Sequence, residues 1–152
     1  MKKRTKGFTL IELVVTLSVV AILAAVALPR YIALQTQARA AKAQAIFGGV
    51  RSAAALAHAQ ALATSTVLSG PATIQMEGVN VTLNNGYPTG DLNGIAVALQ
   101  INEISDDVTI TSGGGTLNID MNGGTAPNCR VSYTEPAAAN TSPAITIATV
   151  GC

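Results

Sequence analysis

Tryptophan is absent, phenylalanine and tyrosine together number five, and His58 is the single histidine. Single-stranded nucleic acid is held by aromatic side chains in series over a basic surface. Five scattered rings (Phe8, Tyr31, Phe47, Tyr87, Tyr133) supply no such path. One histidine and two cysteines, Cys129 and Cys152, do not make a cysteine/histidine zinc set, which takes four ligands. His58 stands in an alanine-rich stretch with no nucleophile spaced to use it, so it reads as a packing or surface residue. No phosphate-binding glycine loop is present. Asp106, Asp107 and Asp120 are the best calcium candidates, and their spacing fits no loop motif. No enzyme, metal site or cofactor site assembles from these residues. The sequons Asn80-Val81-Thr82 and Asn140-Thr141-Ser142 carry only a weak glycosylation signal.

Charge is also scarce, at 11% of residues, and it is unevenly placed. Of nine bases, Lys2, Lys3, Arg4 and Lys6 crowd the first six residues, and Arg30, Arg39, Lys42 and Arg51 follow before residue 66. Beyond that point seven acids (Glu77, Asp91, Glu103, Asp106, Asp107, Asp120, Glu135) face Arg130 alone. An acidic C-terminal region argues against nucleic acid, whose backbone binds basic surfaces. Opposite-sign regions can help set register between subunits, although exposed pairs contribute little one by one.

What the sequence has in abundance is an apolar run. Phe8 to Leu28 is 21 residues, interrupted by a single carboxylate, Glu12. At roughly 1.5 Å per residue it covers about 32 Å, enough to cross a bilayer. The bases before it favour a cytoplasmic N-terminus, with everything after about Tyr31 on the far side. A secretory signal puts its small-residue cleavage site after the apolar core. Here the small residue, Gly7, lies before it, so cleavage there would leave the apolar segment on the mature protein. A charge inside such a segment is costly unless a partner neutralises it, and a plain membrane anchor has no use for Glu12.

This opening, with Gly7-Phe8-Thr9-Leu10-Ile11-Glu12 at its centre, resembles the type IV prepilin family, which comprises type IV pilins and the pseudopilins of type II secretion. The resemblance implies removal of residues 1–7 by a prepilin peptidase and N-methylation of the new terminus, Phe8. It implies that Glu12 meets the terminal amine of a neighbouring subunit, since a buried charge needs a counter-charge. Without the leader's four bases, five bases remain against eight acids, a net charge of about −3. Pro29 lacks an N–H and should kink or locally open the helix. Its position resembles the proline at which pilin helices loosen on assembly.

From Arg30 to about Ala63 alanine dominates and proline is absent, which predicts one long helix. Leu34, Ile46, Val50, Leu56 and Leu62 predict a narrow apolar stripe with alanines between. Gly48-Gly49 predicts a flexible spot or a close backbone contact. The helix should end by Thr64-Ser65-Thr66, with a turn at Ser69-Gly70-Pro71.

After that, strands are predicted at Ile74–Met76, Val79–Leu83, Val108–Thr111, Leu117–Ile119, Cys129–Thr134 and Ile145–Val150, with a short helix within Gly94–Glu103. Turns are marked by Asn85-Gly86, Pro88-Thr89-Gly90, Gly113-Gly114-Gly115 and Gly123-Gly124. A small antiparallel sheet of this length needs the helix to complete its core. On the extracytoplasmic side Cys129 and Cys152 should form a disulfide, closing a 24-residue segment. Loop-closure entropy makes such a bond worth on the order of 3 kcal/mol.

The expected fold is therefore α+β, the pilin fold: a long N-terminal helix packed by a small antiparallel sheet head. The expected divisions are a leader (1–7), a membrane or filament-core helix (8–28), an alanine-rich stalk (29–65) and a head (66–152). The disulfide-bounded end resembles that of type IV pilins, whereas major pseudopilins more typically hold this region with calcium. The stretch Arg51–Leu62, the turn Asn85–Thr89 and the ending Tyr133–Cys152 resemble mannose-sensitive haemagglutinin-type pilins. The family resemblance implies a filament subunit serving adhesion or motility. It places the precursor as a single pass in the inner membrane and the assembled filament outside the cell. Its partners are further copies of itself, the prepilin peptidase, the pilus assembly machinery, and a host or abiotic surface. A type II secretion pseudopilin and a minor or tip pilin acting as a binding module are the alternatives.

Overall fold

The computed structural model describes residues 7–66 and 68–152, so Lys2, Lys3, Arg4 and Lys6 of the leader lie outside the described residues. The chain forms two compact units, one ending at Thr36 and the other spanning Gln37–Cys152. Helix α1 runs Leu10–Ala63, as the alanine content and lack of interior breakers other than Pro29 predict.

In the first unit every described residue is exposed. Its apolar stretch, with a mean hydropathy of 2.6, is long and apolar enough to cross a membrane. The hydroxyls within it are satisfied locally, Thr16 donating to the Leu13 carbonyl at 2.9 Å and Ser18 to the Val14 carbonyl at 2.8 Å. Neither hydroxyl therefore needs water at membrane depth. In the single subunit α1 continues through Pro29. Proline removes one hydrogen bond, and good helix formers on both sides hold the turn.

The second unit has two antiparallel sheets where the sequence predicts one. The first comprises β1 (Pro71–Met76), β2 (Val79–Asn84) and β3 (Tyr87–Pro88) in that order. Beyond Pro88 the Thr89 N–H still donates to the Thr82 carbonyl at 3.0 Å, while the Thr82 N–H turns to the Asn93 carbonyl. After the short α2 (Ile95–Leu99), the second sheet is an up-and-down β4 (Val108–Gly113), β5 (Thr116–Met121), β6 (Arg130–Thr134) and β7 (Ala144–Ala148). Two-residue loops join β1 to β2, β2 to β3 and β4 to β5. Each has positive φ at both positions, as at Asn85-Gly86 (53° and 82°), the geometry that suits the twist of a hairpin.

Two hydrophobic clusters form against the C-terminal part of α1. Ala43, Val50, Ala53 and Ala54 pack with α2 and with Leu117, Ile119, Val131 and Tyr133 of the larger sheet. Ala57 and Ala61 pack with Ile74, Val81 and Leu83 of the smaller one. The stripe predicted from Leu34, Ile46, Val50, Leu56 and Leu62 is thus corrected. Of these only Val50 is fully buried, and Leu34, Leu56 and Leu62 are more than half exposed. Alanine faces the sheets because a small side chain lets a helix lie close to a sheet that contributes the bulk itself. At Gly49 the approach is closest, since a Cβ there would lie 2.9 Å from Leu99 Cδ1. Gly48 has open space around it, so the close contact belongs to Gly49 alone.

Candidate functional site

The residues singled out at the N-terminus fall together. Gly7 and Phe8 precede α1 in irregular backbone, and Phe8 is 73% exposed. Glu12 sits in the first turn, beside a shallow hollow of about 340 Å³ lined by Phe8, Ile11, Val15 and Thr16. Its carboxylate is not alone. The backbone N–H of Thr9 donates to Glu12 Oε2 at 2.9 Å, and the Thr9 hydroxyl donates to the same oxygen at 2.7 Å. In return the Glu12 N–H reaches Thr9 Oγ1 at 3.3 Å. This is a reciprocal capping box, with Thr9 at the N-cap and Glu12 three residues on. The sequence carries its signature, Thr9-Leu10-Ile11-Glu12, which a reading of Glu12 by charge alone passes over. Glu12 therefore also caps its own helix, a use that even a plain anchor would have for it. Neutral donors occupy Oε2 alone and leave the charge uncancelled.

Cys129 and Cys152 are joined by a disulfide, and both are buried. The bridged end is tied to α1 by Arg39, whose Nε donates to the Cys152 carbonyl at 2.6 Å. Lys42 Nζ donates to the Asp107 carbonyl at 2.8 Å, and His58 Nδ1 lies 2.8 Å from the Gly86 carbonyl. The His58 ring stacks on Tyr87 at 4.2 Å between centroids, which makes it a packing residue of the second unit.

The acids of the second unit accept hydrogen bonds within the chain, although Glu77, Glu103 and Asp107 remain exposed. Asp91 Oδ1 accepts from the Asn93 and Gly94 N–H groups and orders the turn into α2. Glu103 accepts from the Ile110 N–H, Asp106 from the Asn102 N–H, Asp107 from Asn122, and Glu77 from Gln100. Asp120 takes both arms of Arg130 at 2.7 and 2.8 Å across β5 and β6, which raises the guanidinium pKa. Glu135 accepts from Asn84 and from the Gly90 N–H, linking the loop after β6 to the smaller sheet. Nearby, Tyr133 donates its hydroxyl to the Pro88 carbonyl at 2.6 Å. Burial, then the charge of Glu135, push the phenol pKa upward. Among the described residues no three histidine, cysteine or acidic side chains group as metal ligands.

Comparison with known proteins agrees with this geometry. Residues 2–28 match the prokaryotic N-terminal methylation motif. Over 124 residues the chain is 36% identical to the type IV narrow pilus major component PilA5 of Thermus thermophilus, covering 78% of this chain and 99% of that protein. No solved structure gives a significant match. A methylation motif heading the apolar helix, together with an alignment that covers most of this chain and nearly the whole of a pilus subunit, places this chain in the type IV pilin family.

Proposed function

We propose that the chain is the repeating subunit of a type IV pilus-like surface filament that serves adhesion or motility, of the mannose-sensitive haemagglutinin type. The chain is a structural protein. In this reading residues 1–7 are removed by a prepilin peptidase after Gly7 and the amine of Phe8 is methylated. Residues 8–28 hold the precursor as a single pass in the inner membrane and then form the filament core. Residues 29–65 are the stalk and 66–152 the head, with Pro29 the point where the helix loosens on assembly. The partners are further copies of the chain, the assembly machinery, and the surface that the fibre grips.

One observation carries the reading. In a helix stretch with no buried residue and a mean hydropathy of 2.6, the only acid stands four positions after the residue that cleavage would make the N-terminus. The capping box gives donors to one carboxylate oxygen and cancels no charge, so a cation from outside the chain is still wanted in an apolar setting. A neighbour's terminal amine supplies one at the depth that a staggered array requires. Glu12→Gln or Glu12→Ala should leave a membrane-inserted protein that does not polymerise, scored by electron microscopy of sheared filaments. Abundant filaments of wild-type form from either variant reject the proposal.

A further inference from the structure

Five cations lie beyond the leader, and four have a partner within the chain. Arg39 is bonded to the Cys152 carbonyl, Lys42 to Asp107, and Arg130 to Asp120. The Arg51 guanidinium carbon lies 5.7 Å from the centre of the Phe47 ring. Arg30 makes no hydrogen bond, ion pair or ring contact among the described residues. It is exposed, follows Pro29 at the end of the apolar run, and is flanked by Tyr31, which is 60% exposed.

Position identifies the partner. Arg30 stands 22 residues after Phe8, about 33 Å along an α-helix. The hydrocarbon core of a bilayer is roughly 30 Å thick. With Phe8 at the cytoplasmic boundary, the guanidinium reaches the phosphate layer of the opposite leaflet, where arginine snorkels and tyrosine is favoured. A planar guanidinium also binds phosphate oxygens two at a time, which an ammonium does not. A carboxylate on a second copy is the competing partner. The acids of the second unit already accept hydrogen bonds within their own chain, so they offer it less.

We propose that Arg30, with Tyr31 beside it, is a phospholipid-headgroup site that fixes the depth of the unassembled subunit in the membrane. The guanidinium holds a lipid phosphate of the extracytoplasmic leaflet, and the tyrosine ring lies at the interface. The inference rests on the membrane-spanning reading of the first unit. Its consequence is that Glu12 is held at a set depth, four residues or about 6 Å inside the cytoplasmic boundary.

The chain has no tryptophan, so Leu28→Trp introduces a single indole as a depth probe. The full chain carrying it is reconstituted in phosphatidylcholine/phosphatidylglycerol vesicles, and indole depth is read by quenching with lipids brominated at different acyl positions. Adding Arg30→Leu should move the indole inward by about 3 Å, two helical residues. Adding Arg30→Lys should move it by less, because the charge remains and the two-point grip does not. In solid-state NMR the labelled Arg30 guanidinium carbon should couple to lipid phosphorus. An unchanged depth in Arg30→Leu, or absent phosphorus coupling in an inserted chain, overturns the lipid site while leaving the filament reading intact. An indole exposed to water in every variant overturns both together.

Discussion

In the first unit the leucine, isoleucine and valine side chains from Leu10 to Leu28 are between 49 and 80% exposed. In the second, the helix residues buried in the core are Ala43, Ala53, Ala54, Ala57, Ala61 and Val50, with Ile46 and Phe47 partly buried beside them. Bulk and burial are inverted along a single element. Where α1 serves its own chain it presents small side chains, and the sheets supply the volume through Leu83, Leu117, Ile119 and Tyr133. In the first unit, where it carries mostly large ones, none of them is buried among the described residues. Those side chains are built for a medium or a neighbour, in keeping with a subunit that passes from membrane to filament.

The contrast can be broken most severely at Gly90. A Cβ there would lie 2.0 Å from the Gly115 carbonyl oxygen, a backbone atom that cannot swing aside. Gly90→Ala should cost about 3 kcal/mol or more, at the severe end of overpacking. Urea unfolding of the detergent-solubilised chain, followed by tyrosine fluorescence, reads the loss. No substitution of equal size in the first unit should move that transition.

A sharper form uses neighbours on α1. Ala57 is fully buried and Leu56 is 61% exposed. Ala57→Leu should destabilise the second unit by about 2 kcal/mol through overpacking. Leu56→Ala should change it by less than about 0.5 kcal/mol, as exposed sites do. Equal effects in the same unfolding assay would show that α1 does not pack through its alanines.

The smallest effect is at Tyr133. Its raised pKa means that the folded chain keeps the phenol protonated where the unfolded chain releases it. The unfolded state then binds fewer protons, so stability falls as pH rises above about 10 and is unaffected by this group below that. Tyr133→Phe should cost about 1 kcal/mol at neutral pH, by losing the bond to Pro88. It should also flatten the alkaline slope, which a pH series of urea midpoints measures.

Much of the fold is legible in the amino-acid order itself. Alternation in Val79-Asn80-Val81-Thr82-Leu83 marks β2, and Asn85-Gly86 marks its turn, because both follow local rules. The helix of 54 residues follows from composition alone. Other features hide for identifiable reasons. Glu77-Gly78 is a hairpin loop like the others, with Glu77 at φ 49°, but glutamate is not a turn signal. Strand β3, two residues long, sits inside what reads as a turn. The alanine face is invisible to a search for large apolar residues, since only the sheets decide which side of α1 they need. Glu12 is conspicuous as a charge, which draws attention from the hydroxyl three residues earlier that caps the helix with it.

The alanine face has one mechanical consequence. Small side chains leave shallow ridges, so a pull along the axis of α1 would meet little interlocking with the sheets of the second unit. Resistance to that shear rests instead on a few crosswise ties: Arg39 to the Cys152 carbonyl, Lys42 to the Asp107 carbonyl, and His58 to the Gly86 carbonyl. A fibre under tension would load these three bonds first. The disulfide at Cys152 would stop the outermost of them from yielding by unravelling the chain end.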